Sequence, residues 1–254
     1  MRQQDFYSGK RVWLTGATSG IGRALAYRLH ELGAEVIVTA RRETLLRDLQ
    51  AELGQNRCHV FAGDVTDLDS MKRIAAEITA TIGSIDIAIP NAGTHVFTVP
   101  EEFDSQEYLG LMNINFGGML HCIEAVLPEM MKEGRGIIAP IASLAGYRGL
   151  PRAGAYGASK AAMIHFLESI RFHLQPLGIG IVIVNPGFVK TPLTDKNDFR
   201  MPFLVSAEYA AREICKGIMR GKREVAFPYL FSRILKLCRM LPAPLYERII
   251  NKCW

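Results

Sequence analysis

The chain has 254 residues, of which 49% are hydrophobic and 22% charged, and its formal net charge is +5. Chains of this length in the α/β class are routinely one unit, and no linker, repeat or low-complexity tract divides this one. The positive charge is local: Arg220 to Trp254 holds eight Lys/Arg against two Asp/Glu, a net of +6 that leaves −1 for the rest, which argues against a general nucleic-acid surface.

In chain order, Arg11–Thr15 reads as a short buried strand, followed at once by the glycine turn Gly16-Ala-Thr-Ser-Gly20-Ile-Gly22. Helical periodicity then runs from Arg23 to Leu32. A second strand, Ala34 to Ala40, ends in Arg41-Arg42. Further strand-like runs at Cys58–Ala62, Ile85–Ile89, Gly136–Ile141 and Ile179–Val184 alternate with long amphipathic stretches, including Glu107–Met131 and Ala155–Leu177. Alternation of this kind predicts right-handed crossovers and a single α/β domain, a doubly wound parallel sheet with helices on both faces. Pro140 removes a ladder donor and predicts a local distortion beside Ser143.

The tail from residue 229 to 254 is expected as a basic amphipathic extension of the domain formed by 1–228. Leu230, Phe231, Ile234, Leu235, Leu237, Cys238 and Leu241 cluster on one helical face, with Arg233, Lys236 and Arg239 opposite. After Pro242-Ala-Pro244 a second amphipathic piece carries Leu245, Tyr246, Ile249 and Ile250. Two readings fit such a pattern: a helix packed over a substrate cleft or subunit, and an interfacial helix lying on a membrane.

The strand, glycine turn and helix form a context suited to a pyrophosphate, because glycines admit the phosphates to backbone N–H groups and the helix N-terminus favours anions. A site selective for NAD places an acid near the end of the second strand. Here that position is Ala40, followed by Arg41, and a guanidinium suits the 2′-phosphate of NADP. Ser19 is expected to add a hydroxyl to the same phosphate. Tyr156 and Lys160, four residues apart, share one helical face. A cation near the phenol lowers its pKa from about 10 toward the range useful for proton transfer. Ser143 lies thirteen residues upstream, a hydroxyl able to hold a carbonyl oxygen.

Taken together these residues resemble the short-chain dehydrogenase/reductase family from about Lys10 to Pro228. The glycine turn matches at Thr15, Gly16, Gly20, Ile21 and Gly22, and the adenine-side acid at Asp64 with Val65 beside it. The fourth-strand motif appears as Pro90-Asn91-Ala92-Gly93, with proline in place of its first asparagine. Asn115, Ser143, Tyr156 and Lys160 match the catalytic set, and Asn185-Pro186-Gly187, Val189 and Thr191 match the segment around the nicotinamide. The resemblance implies a Rossmann-type fold and hydride transfer between NADPH and a carbonyl or secondary alcohol. It implies Tyr156 as acid/base, Ser143 on the substrate oxygen, Lys160 on the ribose and Asn115 positioning a water. Enoyl reductases of related fold keep more residues between tyrosine and lysine, so carbonyl–alcohol chemistry is expected. The long helices imply a homodimer or homotetramer. A catalytically silent nucleotide-binding protein and a membrane-surface reductase of lipid carbonyls are the alternatives.

Leu144, Tyr147, Arg148, Leu150, Phe188 and the Thr194–Leu204 segment are expected to line the substrate pocket, with His95 at its edge. The cysteines at 58, 122, 215, 238 and 253 are scattered, without C-x-x-C pairs or a histidine cluster, so neither a metal nor a disulfide framework is expected. They read as buried thiols in a reducing cytosol. No apolar run reaches the roughly 18 residues of a membrane span, and the short stretch before Arg11 leaves no room for a signal peptide.

Overall fold

A computed structural model describes residues 2–199 and 201–253; Arg200, within the expected pocket segment, and Trp254 lie outside the described residues. The elements run α1 (Gln3–Tyr7), β1 (Arg11–Thr15), α2 (Gly20–Glu31), β2 (Glu35–Ala40), α3 (Glu43–Leu53), β3 (Cys58–Ala62), α4 (Leu68–Thr81) and β4 (Ile87–Ile89). They continue as α5 (Ser105–Met112), α6 (Gly118–Glu133), β5 (Gly136–Ile138), α7 (Gly154–Leu174), β6 (Ile179–Ile181), β7 (Ile183–Pro186), α8 (Ala207–Met219), β8 (Glu224–Phe227), α9 (Tyr229–Met240) and α10 (Ala243–Cys253). Six parallel strands form one sheet in the order β3-β2-β1-β4-β5-β6, and β7 pairs with β8 in a second, two-stranded sheet. The order reverses between β1 and β4, where doubly wound sheets open a crevice at their strand C-termini.

The interior strands are mostly apolar because they alternate between two buried faces. Val12 and Leu14, Val36 and Val38, Ile87 and Ile89 join one core with Leu25 and Leu29 of α2 and Ile214 and Ile218 of α8. Trp13, Ile37 and Ala88, one residue out of phase, join the other core with Met71 of α4, Ile123 of α6 and Leu167 of α7. The Trp13 indole, fully buried, donates to the Thr39 hydroxyl at 2.9 Å. Tyr7 is also fully buried and donates to the Cys215 carbonyl at 2.9 Å, which ties α1 to α8.

Three features depart from the expected elements. The run from Gly136 to Ile141 stops as regular strand at Ile138, and the ladder resumes at a bridge between Ile141 and Val184. Pro140 accounts for the break: its carbonyl accepts from Val184 N at 3.1 Å, but it has no N–H to return. The long helix over 107–131 is divided by a π turn at Asn113–Gly117. β8, a short strand behind the basic turn Arg220–Arg223, is a further addition to the expected set.

Candidate active site

The glycine turn is built by close backbone approach. A Cβ on Gly22 would lie 2.2 Å from the Gly16 carbonyl oxygen and 2.5 Å from the Asn91 amide nitrogen, so no larger residue fits. Asn91 Nδ2 donates to the carbonyls of Thr15 (2.9 Å) and Gly16 (3.1 Å), while the Thr15 hydroxyl accepts from the amides of Asn91 (3.1 Å) and Ala92 (3.2 Å). Asn91 therefore braces the turn with its side chain. Pro90 stands in place of the motif's first asparagine, and its carbonyl accepts from Ile141 N at 2.9 Å.

α2 begins at Gly20 with Ser19 as its N-cap, and the Ser19 hydroxyl makes no capping bond. Arg41 and Arg42 follow β2 and are exposed, and Arg41 Nη1 reaches Asp64 Oδ2 at 4.0 Å. The Asp64 carboxylate also accepts from the amide and hydroxyl of Thr66, both at 2.9 Å. A groove of about 490 Å³ runs along these strand ends, lined by Gly16, Ser19, Gly20, Ile21, Gly22, Arg41, Asp64, Val65, Asn91, Ala92 and Gly93. Tyr156, Lys160, Pro186, Gly187, Val189 and Thr191 continue the same wall. Every residue that the sequence points to for cofactor binding thus borders one groove. Arg42, Thr18 and Lys196 line it as well; only proximity in the fold brings them there. A helix N-terminus, an uncommitted hydroxyl, two guanidinium groups and a buried ammonium suit a nucleotide with several phosphates.

Ser143 is delivered to Tyr156 by a tight fit between the loop after β5 and α7. A Cβ at Gly146 would meet the Lys160 carbonyl carbon at 2.7 Å, so glycine is required for that loop to seat on the helix. Ser143 Oγ accepts from Ala145 N at 3.1 Å and donates to the Pro186 carbonyl at 3.4 Å. Burial raises the Tyr156 phenol above its usual pKa, and a hydrogen bond with Ser143 works in the opposite direction. Lys160 is 4% exposed, and burial pushes its ammonium down to about 7. It donates to the Ile141 carbonyl at 2.8 Å. The expectation that Lys160 lowers the tyrosine pKa thus needs correction: the ammonium is weakened by the same burial and is turned to a carbonyl, and desolvation dominates the phenol.

Asn115 lies in the π turn between α5 and α6 and is 1% exposed. Its amide donates to the Thr94 carbonyl and to Ser159 Oγ, both at 3.0 Å, and its Oδ1 accepts from Thr94 N at 2.8 Å. Ser159 in turn donates to the Tyr156 carbonyl at 2.7 Å. In this arrangement Asn115 connects the segment after β4 to α7 and lies outside the groove wall.

A second, apolar cavity adjoins the groove, and Ser143, Tyr156 and Gly187 line both. Leu144, Leu150 and Phe188 line it as expected, and Thr194, Asn197 and Phe199 represent the 194–204 segment. His95 packs edge-on against the Tyr156 ring, with centroids 4.9 Å apart. Burial, Lys196 and Arg152 hold its imidazole below the usual pKa, so it is neutral near pH 7. Phe231 and Leu235 of α9 close one side, so that face of the tail packs against the cavity.

Tyr147 and Arg148 do not line this cavity. Tyr147 donates to the Glu224 carboxylate, which also takes Asn185 Nδ2 at 2.8 Å and the Lys236 ammonium. Burial pushes Glu224 up, but these donors outweigh it and hold the carboxylate below its usual range. Arg148 reaches the carbonyls of Cys238 (2.9 Å), Arg239 (3.4 Å) and Leu241 (2.6 Å) at the end of α9. Its guanidinium stacks 4.0 Å from the Tyr246 ring centroid. Two residues expected to meet substrate instead fasten the tail. Among the described residues no group of three or more His, Cys, Asp or Glu could hold a metal ion, and no helix is long and apolar enough to cross a membrane.

Comparison with known proteins agrees with this geometry. The family model described as short chain dehydrogenase matches residues 10–200. An uncharacterized oxidoreductase of Myxococcus xanthus is 37% identical over 243 residues, covering 94% of this chain and 96% of that protein. The 11-beta-hydroxysteroid dehydrogenase-like 4A protein of Arabidopsis thaliana is 35% identical over 262 residues, covering 99% of this chain and 86% of its own length. A crystal structure of a short-chain dehydrogenase from Streptomyces avermitilis superposes with a TM-score of 0.80 at 27% identity, covering 91% of this chain and 92% of that one. With its glycine turn, its Ser143–Tyr156–Lys160 cluster and these relatives, the chain belongs to the short-chain dehydrogenase/reductase family, oxidoreductases that work with a nicotinamide cofactor.

Proposed function

We propose that this protein is an NADP-dependent oxidoreductase that interconverts an apolar carbonyl compound and the corresponding secondary alcohol, with Tyr156 as acid and base. One observation carries the reading: Ser143 and Tyr156 stand where the polar groove and the apolar cavity meet, so that a reacting oxygen held there faces both. The nicotinamide, when bound, supplies or accepts the hydride. Ser143 holds the carbonyl oxygen, and Tyr156 gives it a proton in reduction and takes one in oxidation. Lys160, in the groove wall, would bond the nicotinamide ribose, and Asn115 keeps α7 in register with the segment after β4. Val189 and Thr191, in the same wall, would flank the carboxamide end. Arg41, with Ser19, would grip the 2′-phosphate that distinguishes NADP from NAD, and the absence of an acid at Ala40 removes the group that would favour NAD.

The substrate class follows from the cavity lining of Phe97, Leu150, Phe188, Phe199, Phe231 and Leu235. Hydroxysteroids, named for the plant relatives, are the class to assay first. The exposed apolar side chains of α5 and α7, Leu109 and Phe172, are suited to pairing copies into a homodimer or homotetramer. The direct test is a panel of apolar ketones and alcohols assayed with NADPH, NADH and their oxidised forms, read by nicotinamide absorbance. Turnover with NADPH and a steroid ketone at rates well above those with NADH is the expected result. No turnover of any carbonyl by folded, cofactor-binding protein would favour the silent nucleotide-binding alternative.

A further inference from the structure

α9 carries two apolar faces, and only one has a use in the fold. Phe231 and Leu235, one turn apart, enter the cavity wall. Leu230, Ile234 and Leu237, spaced i, i+4 and i+7, point the other way and are 57%, 40% and 61% exposed. The face is not isolated. Phe203 and Leu204 are also exposed, and the Phe203 ring stacks on Phe231 with centroids 5.6 Å apart. An apolar collar therefore extends from open solvent to the wall of the substrate cavity.

α10 repeats the pattern. Tyr246 turns inward, donating to the Gly149 carbonyl at 2.6 Å, while Leu245, Arg248, Ile249 and Lys252, at i, i+3, i+4 and i+7, form an exposed face. Arg233 on α9 is exposed as well, its guanidinium 5.7 Å from the centroid of the exposed Tyr229 ring. Across the two helices five Lys/Arg stand against one acid, Glu247. Arg148 and the Glu224 cluster fasten these helices to the body, so the surface they present is fixed in place.

We propose that the outer faces of α9 and α10, with Phe203 and Leu204, dock on an anionic lipid bilayer, the mouth of the cavity turned toward the lipid. Leu, Ile and Phe side chains enter the acyl boundary while Arg233, Arg248 and Lys252 meet acidic headgroups, the division of labour an interfacial helix requires. A two-fold contact between copies is a poorer fit, because it would bring these cations toward one another with a single acid on the helices to offset them. The docking is independent of the catalytic assignment, since none of these outward residues lines the groove or touches Tyr156.

The test is flotation of the full chain with phosphatidylcholine vesicles containing about a third phosphatidylserine, against pure phosphatidylcholine vesicles, at low and high salt. The wild type should float with the anionic vesicles at least tenfold more than with the neutral ones, and high salt should narrow the gap. The triple variant Leu230→Ser, Ile234→Ser, Leu237→Ser should lose flotation, and Arg233→Glu with Arg248→Glu should lose the preference for phosphatidylserine. Nicotinamide-cofactor binding and particle size, unchanged in both variants, show that the fold is intact. Wild-type protein that stays with the buffer, or variants that float as it does, overturns the proposal. A triple variant that falls to a smaller oligomer also overturns it and assigns the face to a second copy of the chain.

Discussion

Lys160 stands one helical turn beyond Tyr156, its ammonium 5.6 Å from the phenol ring centroid and 2.8 Å from the Ile141 carbonyl. The lysine is thus fastened to the segment after β5, two residues before Ser143. Burial raises the phenol above its usual pKa, so it carries its proton in the resting site, and the hydrogen bond with Ser143 works against that rise. Tyr156→Phe removes the hydroxyl and leaves the ring that packs against His95. Turnover should fall by about a hundredfold or more, the usual worth of acid–base assistance. NADPH affinity, read by fluorescence titration, should hold. Wild-type turnover in the variant would remove Tyr156 from the mechanism.

The buried ammonium makes stability depend on pH in a predictable direction. Burial holds the Lys160 ammonium down to about 7 against its ordinary 10.5, so between these values the unfolded chain binds the extra proton. Stability from this group therefore rises with pH across that window, by at most about 1.4 kcal/mol per unit. Lys160→Met has no proton to exchange. The unfolding free energy of wild type relative to the variant should climb from pH 7 toward pH 10 in urea titrations, and a flat difference would place the ammonium in a wetter site.

Much of this was legible in the sequence because it is written in local patterns. The alternation of β1 and β2 between two cores appears as short, largely apolar runs, and Gly22 is required by a contact only six residues distant, with Gly16. Ser143, Tyr156 and Lys160 stand out through their spacing taken together with the family resemblance. What escaped depends on side-chain direction after a turn. Tyr147 and Arg148 follow the short helical turn at 144–146, whose rotation sends them toward Glu224 and the end of α9, away from the cavity. Asn115 gave no local sign that its amide would be committed to Thr94 and Ser159. On α9, a helical projection groups seven apolar residues, but only contact with the cavity separates Phe231 and Leu235 from Leu230, Ile234 and Leu237.

Cofactor choice should turn on Arg41. Its guanidinium is exposed and held loosely, 4.0 Å from Asp64, so it is free to close on a phosphate. A charge-assisted hydrogen bond is worth roughly 1.5–3 kcal/mol, about one to two decades in affinity. Arg41→Ala should weaken NADPH by that much and NADH little, and Ala40→Asp should shift preference toward NADH. Equal losses for the two nucleotides in calorimetry would show that the 2′-phosphate lies elsewhere, with Arg42 the next residue to change.

Arg148 tests whether the tail governs the substrate cavity. Its guanidinium takes three carbonyls at the end of α9 and stacks on Tyr246, so it fixes both tail helices to the loop that begins at Ser143. Arg148→Ala leaves those carbonyls without their donor and loosens Phe231 and Leu235 in the cavity wall. Lys keeps a charge but, as a compact ammonium, cannot reproduce the planar fork or the stack. For an apolar substrate, KM should rise several-fold in the alanine variant and less in Arg148→Lys. NADPH affinity should stay at the wild-type value, because no groove residue contacts the tail through Arg148. A loss confined to kcat, with KM unchanged, would mean that Arg148 acts through Ser143 and not through the cavity wall.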